Sequence, residues 1–107
     1  MNHICHITSV HSANDTRILH KECKTLVNVG YAVTLVVQHG KDEIIDGVQI
    51  KGVKTPKNRI ERMMKTAKQV YKRALECNAD IYHFHDPELI PIGLKLKRKF
   101  GNRIKLI

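Results

Sequence analysis

Residues 3–38 read HICHITSVHSANDTRILHKECKTLVNVGYAVTLVVQ, and the fold class follows from them. HICHITS is short and mostly apolar, the composition of a strand. VHSANDT then supplies turn and cap formers, with Asn14 or Asp15 positioned to cap a helix. From Thr16 to Val29, Leu19, Cys23 and Leu26 recur at helical spacing, and Gly30 stands where a helix-ending glycine belongs. YAVTLVVQ follows at once. It is β-branched and apolar on both faces, as suits a strand buried within a parallel sheet. Strand, helix and strand in this order make a βαβ unit.

The pattern continues outward. Asp46-Gly47 is a tight-turn signal, and GVQIKGV after it alternates like a shorter strand. Residues 58–77 form the clearest helix: Ile60, Met63, Met64, Ala67, Val70, Tyr71, Ala74 and Leu75 share one stripe, with Arg59, Arg62, Lys65, Lys68, Lys72 and Arg73 mainly off it. DIYHF reads as the next strand. A helix starting between Pro87 and Gly93 runs to Phe100, stopped by Gly101, and RIKLI begins a further strand. The expectation is an α/β domain, a Rossmann-like open and largely parallel sheet with flanking helices. At 107 residues the chain is one domain or part of one.

Composition narrows the partners. Nineteen Lys and Arg against ten Asp and Glu give a net charge of +9, which biases the protein towards anionic partners. Aromatic residues are few (three Tyr, two Phe, no Trp) and are not interleaved with the basic ones, so nucleic-acid binding by base stacking is not expected. Cys5, Cys23 and Cys77 are widely spaced and form no CxxC pair, so they read as apolar filler rather than a disulfide framework or zinc knuckle. MNHICHITSV lacks the basic and apolar regions of a signal peptide, and no apolar run approaches the roughly 20 residues of a membrane span. A cytoplasmic location is the expectation. The basic helix over 58–77 is read as a solvated face or, alternatively, as a surface for anionic lipid head groups on the inner face of the membrane.

In open α/β sheets ligands bind outside the carboxyl ends of the strands. That rule selects VHSANDTR, QHGKD and HDPE. Arg17 lies in the first turn of a helix, where the dipole disfavours a cation; it pairs with Asp15 or a neighbouring loop, or faces an anion or sugar hydroxyl. The loop HSANDTR contains no glycine, so any phosphate grip there relies on side chains or a looser backbone approach. His83 and His85, two apart on one strand, share a face. With Asp86 they are compatible with a metal, but zinc needs further ligands. His6 on the neighbouring strand could approach, but no metal site is expected. Asp86 before Pro87 fits a helix N-cap, a cleft-facing group, or both. Neither a Ser-His-Asp set, a P-loop nor GxGxxG occurs.

ICHITSVHSANDTRILHKECKTLVNVGYAVTLVV resembles the start of family-4 glycosyltransferases: an apolar strand, a loop with a D-x-R element, a helix with K-E, and G-y-x-V-t-l. ADIYHFHDPELIPIGLKLKR is similar to the later stretch of the same N-terminal domain, where D-[IV]-x-H-x-H-D precedes a helix. GVQIKGV sits between them in the family's order. The resemblance implies a GT-B fold, in which two Rossmann-like domains face each other across a cleft. The first mainly holds the acceptor and the second the nucleotide-sugar. It implies a retaining hexosyl transfer that needs no cofactor or metal. Residues 1–107 would be a truncated N-terminal domain without the C-terminal donor-binding domain and its E-x6-E element, and inactive alone. Asp15 and Arg17 match the D-x-R loop, and His85 and Asp86 the H-D element, as acceptor or cleft-binding groups; His11 and Glu88 are neighbours. The resemblance assigns no catalytic residue. The acceptor it implies is a glycan or a lipid-linked glycan of cell-surface polysaccharide synthesis. The competing reading from the residues is a stand-alone Rossmann-like module that binds a nucleotide or a protein without catalysis.

Overall fold

In the computed structural model, residues 2–12 and 17–107 are described, with residues 9–12, 17–20, 62 and 87 described by backbone alone. The elements are β1 (His3–Ser12), α1 (Arg17–Asn28), β2 (Ala32–Gln38), β3 (Glu43–Ile45), β4 (Val48–Val53), α2 (Arg59–Glu61), a π-helical segment Arg62–Thr66, α3 (Ala67–Cys77), β5 (Ile81–Phe84), a 3-10 turn Pro87–Leu89, α4 (Ile90–Phe100), a 3-10 turn Gly101–Arg103 and β6 (Lys105–Leu106). The six strands form one sheet in the order β3-β4-β2-β1-β5-β6. All pairings are parallel except that of β3 with β4. This is the Rossmann-like α/β architecture expected from the βαβ pattern.

Each face of the sheet has its own core. On one, Cys5, Ile7, Val36 and Tyr82 pack with Val70 and Ala74 of α3 and Ile92 and Leu96 of α4. On the other, Val33, Leu35, Val37, Val48 and Ile50 pack with Cys23 of α1. The both-sided apolar run of β2 is thereby accounted for: its alternate residues belong to different cores. The three cysteines are all free and buried, which agrees with their reading as filler.

The Asp-Gly signal makes a two-residue hairpin turn. Asp46 and Gly47 both have positive φ, 51° and 81°, as the type I′ turn between twisted strands requires. This turn also adds β3, a three-residue antiparallel edge strand that the sequence pattern does not distinguish.

Two local expectations are corrected. β1 runs on to Ser12, with a register irregularity between Ile7 and Ser12, rather than ending at residue 9. The apolar stripe of residues 58–77 is not uniformly core. Val70 and Ala74 are fully buried, but Ile60, Met63 and Met64 are 70%, 60% and 63% exposed. Met63 and Met64 lie in the π-helical segment, whose wider turn departs from the 3.6-residue period that the stripe assumes.

Strand order determines where a ligand would sit. Chain order runs outward from β1 through β2 towards one edge, then returns to β5 on β1's other side. The crevice between the carboxyl ends of β1 and β5 is therefore a topological switch point.

Candidate functional site

β1 and β5 run in parallel register, with His6 opposite His83 and Ile7 opposite Phe84. The His85 N–H continues the ladder by donating to the Ile7 carbonyl at 3.0 Å. Because side chains alternate along a strand, the odd positions Cys5 and Ile7 enter the core under α3 and α4. His6 and Thr8 project to the opposite face.

Asp86 follows at the switch point and is buried. Its Oδ2 accepts a 2.8 Å hydrogen bond from Thr8 Oγ1. Its carbonyl accepts one from the Leu89 N–H at 3.0 Å, which closes the 3-10 turn leading into α4. The turn carrying HDPE is thus tied to β1 through a side chain and to α4 through its backbone. Beside it lies a cavity of about 420 Å³, lined by His85 and Asp86 together with Phe84, Ile90, Leu94 and Leu106. A mostly apolar pocket with a few convergent polar groups is the usual form of a small-ligand site.

On the α1 face three imidazoles meet. His6 Nδ1 and His85 Nε2 are 2.9 Å apart, so one donates to the other. The rings of His83 and His85 stack with centroids 4.2 Å apart, and His6 and His83 are 4.9 Å apart. His6 is only 1% exposed, and its Nε2 has no partner among the described residues. Burial first, then the neighbouring His85 and His83, pushes the pKa of His6 down to about 4, so the ring is neutral at physiological pH. His83 Nδ1 is 3.9 Å from Glu22 Oε1 of α1.

The other sequence candidates divide by position. His11 lies in β1 and Arg17 is the first residue of α1, so the backbone carries both to the same end of the sheet as His85 and Asp86. Asp15 lies outside the described residues, as does Asn14, the alternative cap. Glu88, two residues beyond Asp86, lines a different groove of about 600 Å³ formed with Met63, Met64, Tyr71, Ile92 and Lys95. Thr8 was not singled out by sequence reasoning. Its two-residue offset from His6 on β1 is a signal for its facing the same way, but its pairing with Asp86 depends on strand order.

The chain matches no known family model, and no curated protein sequence is significantly similar to it.

Proposed function

We propose that the chain is the acceptor-side N-terminal domain of a retaining family-4 glycosyltransferase. It would take part in transfer of a sugar from a nucleotide-sugar to a glycan or lipid-linked acceptor. The observation that carries this reading is the meeting of His85 and Asp86 at the β1–β5 switch point, beside the 420 Å³ cavity. These are the residues that match the H-D element of the family resemblance. A sugar acceptor is an uncharged polyol, and an imidazole and a carboxylate can exchange hydrogen bonds with its hydroxyls. In this reading Arg17, Asp15 and His11 come from the neighbouring loop region to the same cleft, and the donor is held chiefly by a second domain. The transfer itself draws on no metal.

A lipid-linked acceptor gives the outer surface a purpose. Ile60, Met63 and Met64 are exposed on the segment that also carries Lys65 and Lys68. Among the described residues no helix is long and apolar enough to cross a membrane. Apolar side chains set among lysines favour attachment to an anionic lipid surface instead, which fits a peripheral position on the inner face. Sedimentation with anionic but not neutral vesicles is the expected result, with loss of binding in Met63→Asp/Met64→Asp. Equal recovery in both supernatants would remove this part of the reading.

The central test is a transfer assay on the complete reading frame, using UDP- and GDP-sugars and a phospholipid-linked acceptor. Wild type is expected to transfer, with roughly tenfold or greater loss in Asp86→Asn and Arg17→Ala variants that keep the wild-type circular dichroism. Unchanged activity in both would leave the two residues structural roles. Absence of transfer by wild type, with nucleotide or protein binding retained, would favour the non-catalytic module.

A further inference from the structure

The meeting of three histidines on the α1 face of the sheet shares His85 with the proposed acceptor cleft, but His6 and His83 have no part in the proposed transfer. We propose that His6, His83 and His85 form a binding site for one divalent transition-metal ion of the zinc class. The site shares His85 with the proposed acceptor cleft, rests on the geometry of the cluster and not on the glycosyltransferase reading, and departs from the expectation of a metal-free domain.

The geometry carries the inference. One coordinating nitrogen from each ring can be chosen so that all three lie within 4.8 Å of one another. In a tetrahedral site with metal–nitrogen bonds of about 2.0–2.1 Å, neighbouring nitrogens are about 3.3 Å apart. The 2.9 Å separation of His6 Nδ1 and His85 Nε2 is already close to that spacing. Side-chain rotations of the order of 1 Å would draw the rest of the set to the same distance.

The backbone underneath is rigid where the site needs it. His6 and His83 are directly paired across two parallel strands, and His85 is held to β1 by its N–H bond to Ile7. A ligand set on paired strands keeps its spacing better than one on loops. His6 supplies the buried end, and its Nε2 has no hydrogen-bond partner among the described residues.

His83 and His85 supply the outer side, where both are partly exposed. An entering ion therefore has a route, and its remaining coordination position opens to water. Glu22 Oε1, 3.9 Å from His83 Nδ1, is near enough to take that ring's outer N–H or to become an oxygen ligand after a side-chain rotation. Carboxylates in this relation commonly orient metal-bound imidazoles.

Ligand chemistry selects the ion. Three neutral imidazoles suit Zn²⁺, Cu²⁺, Ni²⁺ or Co²⁺, whereas Mg²⁺ and Ca²⁺ call for oxygen donors. Three histidines with an open position are also the ligand set of many zinc sites that keep a bound water.

The test uses untagged, chelator-stripped protein titrated with Co²⁺ and then Zn²⁺. The expected result is one Co²⁺ per chain, with the visible absorption of a four-coordinate nitrogen-rich site, displaced by Zn²⁺ but not by Mg²⁺. His83→Gln and His85→Gln should each weaken Zn²⁺ binding roughly tenfold or more, and His39→Gln, outside the cluster and bonded to Glu43, should leave it unchanged. Both outer variants alter partly exposed rings, so the test does not depend on whether a His6 variant folds. No Co²⁺ spectrum, or binding that survives the His83→Gln/His85→Gln double substitution, would overturn the proposal.

Discussion

Thr8 Oγ1 and Asp86 Oδ2 are joined by a buried 2.8 Å hydrogen bond across 78 residues of chain. It links β1 to the turn that leaves β5 at the switch point. Removing the hydroxyl takes a hydrogen-bond partner from a buried side chain, at a cost of about 1–3 kcal/mol, so Thr8→Val should lower the unfolding free energy measured in urea by that much. A double-mutant cycle with Asp86→Asn should show coupling of about 1 kcal/mol or more. Strictly additive losses would mean that the pair does not hold the turn in solution.

Tyr82 ties the helical layer to β5. Its hydroxyl donates to the Ala74 carbonyl at 2.8 Å and accepts from the Ala79 N–H at 3.1 Å, with the ring fully buried. Tyr82→Phe keeps the ring and removes both bonds, leaving two buried backbone groups unsatisfied. A loss of about 1–3 kcal/mol is expected, measured by thermal or chemical denaturation.

Gly52 in β4 is required by a close approach of backbone. A Cβ built there would lie 2.5 Å from the carbonyl oxygen of His39, whereas one at Gly40 meets nothing within 4 Å. Gly52→Ala should therefore cost about 1–3 kcal/mol through forced backbone movement. Gly40→Ala should lie within about 0.5 kcal/mol of wild type. Equal melting temperatures for the two variants would contradict this packing.

Buried histidine makes the metal-free protein acid-sensitive. His6 is held neutral, with its pKa lowered by burial from 6.5 to about 4, and burial also lowers that of His3. Between these values the unfolded chain binds more protons than the folded one, so stability rises with pH. The contribution from His6 is complete above about pH 6.5 and is lost as pH falls to about 4, a change of about 3 kcal/mol. Urea midpoints measured across this window in the presence of chelator should fall accordingly. In His6→Asn, if it folds, the slope should be reduced.

Much of the fold was legible before the structure. Helical spacing of Leu19, Cys23 and Leu26 marked α1, the both-sided apolar run marked β2, and Asp46-Gly47 marked a turn. All three are local signals, carried by side-chain period or by φ preference. The exposure of Ile60, Met63 and Met64 was not legible, because the apolar stripe was drawn on a regular helical period and a π-helical segment interrupts it. His83 and His85 were expected on one face from their spacing alone. His6 was placed on the neighbouring strand, but that it stands directly opposite His83 depended on the register of the two strands.

By itself, the sequence determined the βαβ order, the alternation that separates His6 and Thr8 from Cys5 and Ile7, and the gathering of polar residues at strand ends. These are properties of neighbours along the chain, where steric preference and burial period act directly. The strand of His6 was already expected beside β5, but only the tertiary structure fixed the register of β5 against β1. That one pairing brings His6 to His83 and His85, and Thr8 to Asp86, because contacts between residues nearly eighty positions apart follow from the burial of both sheet faces together.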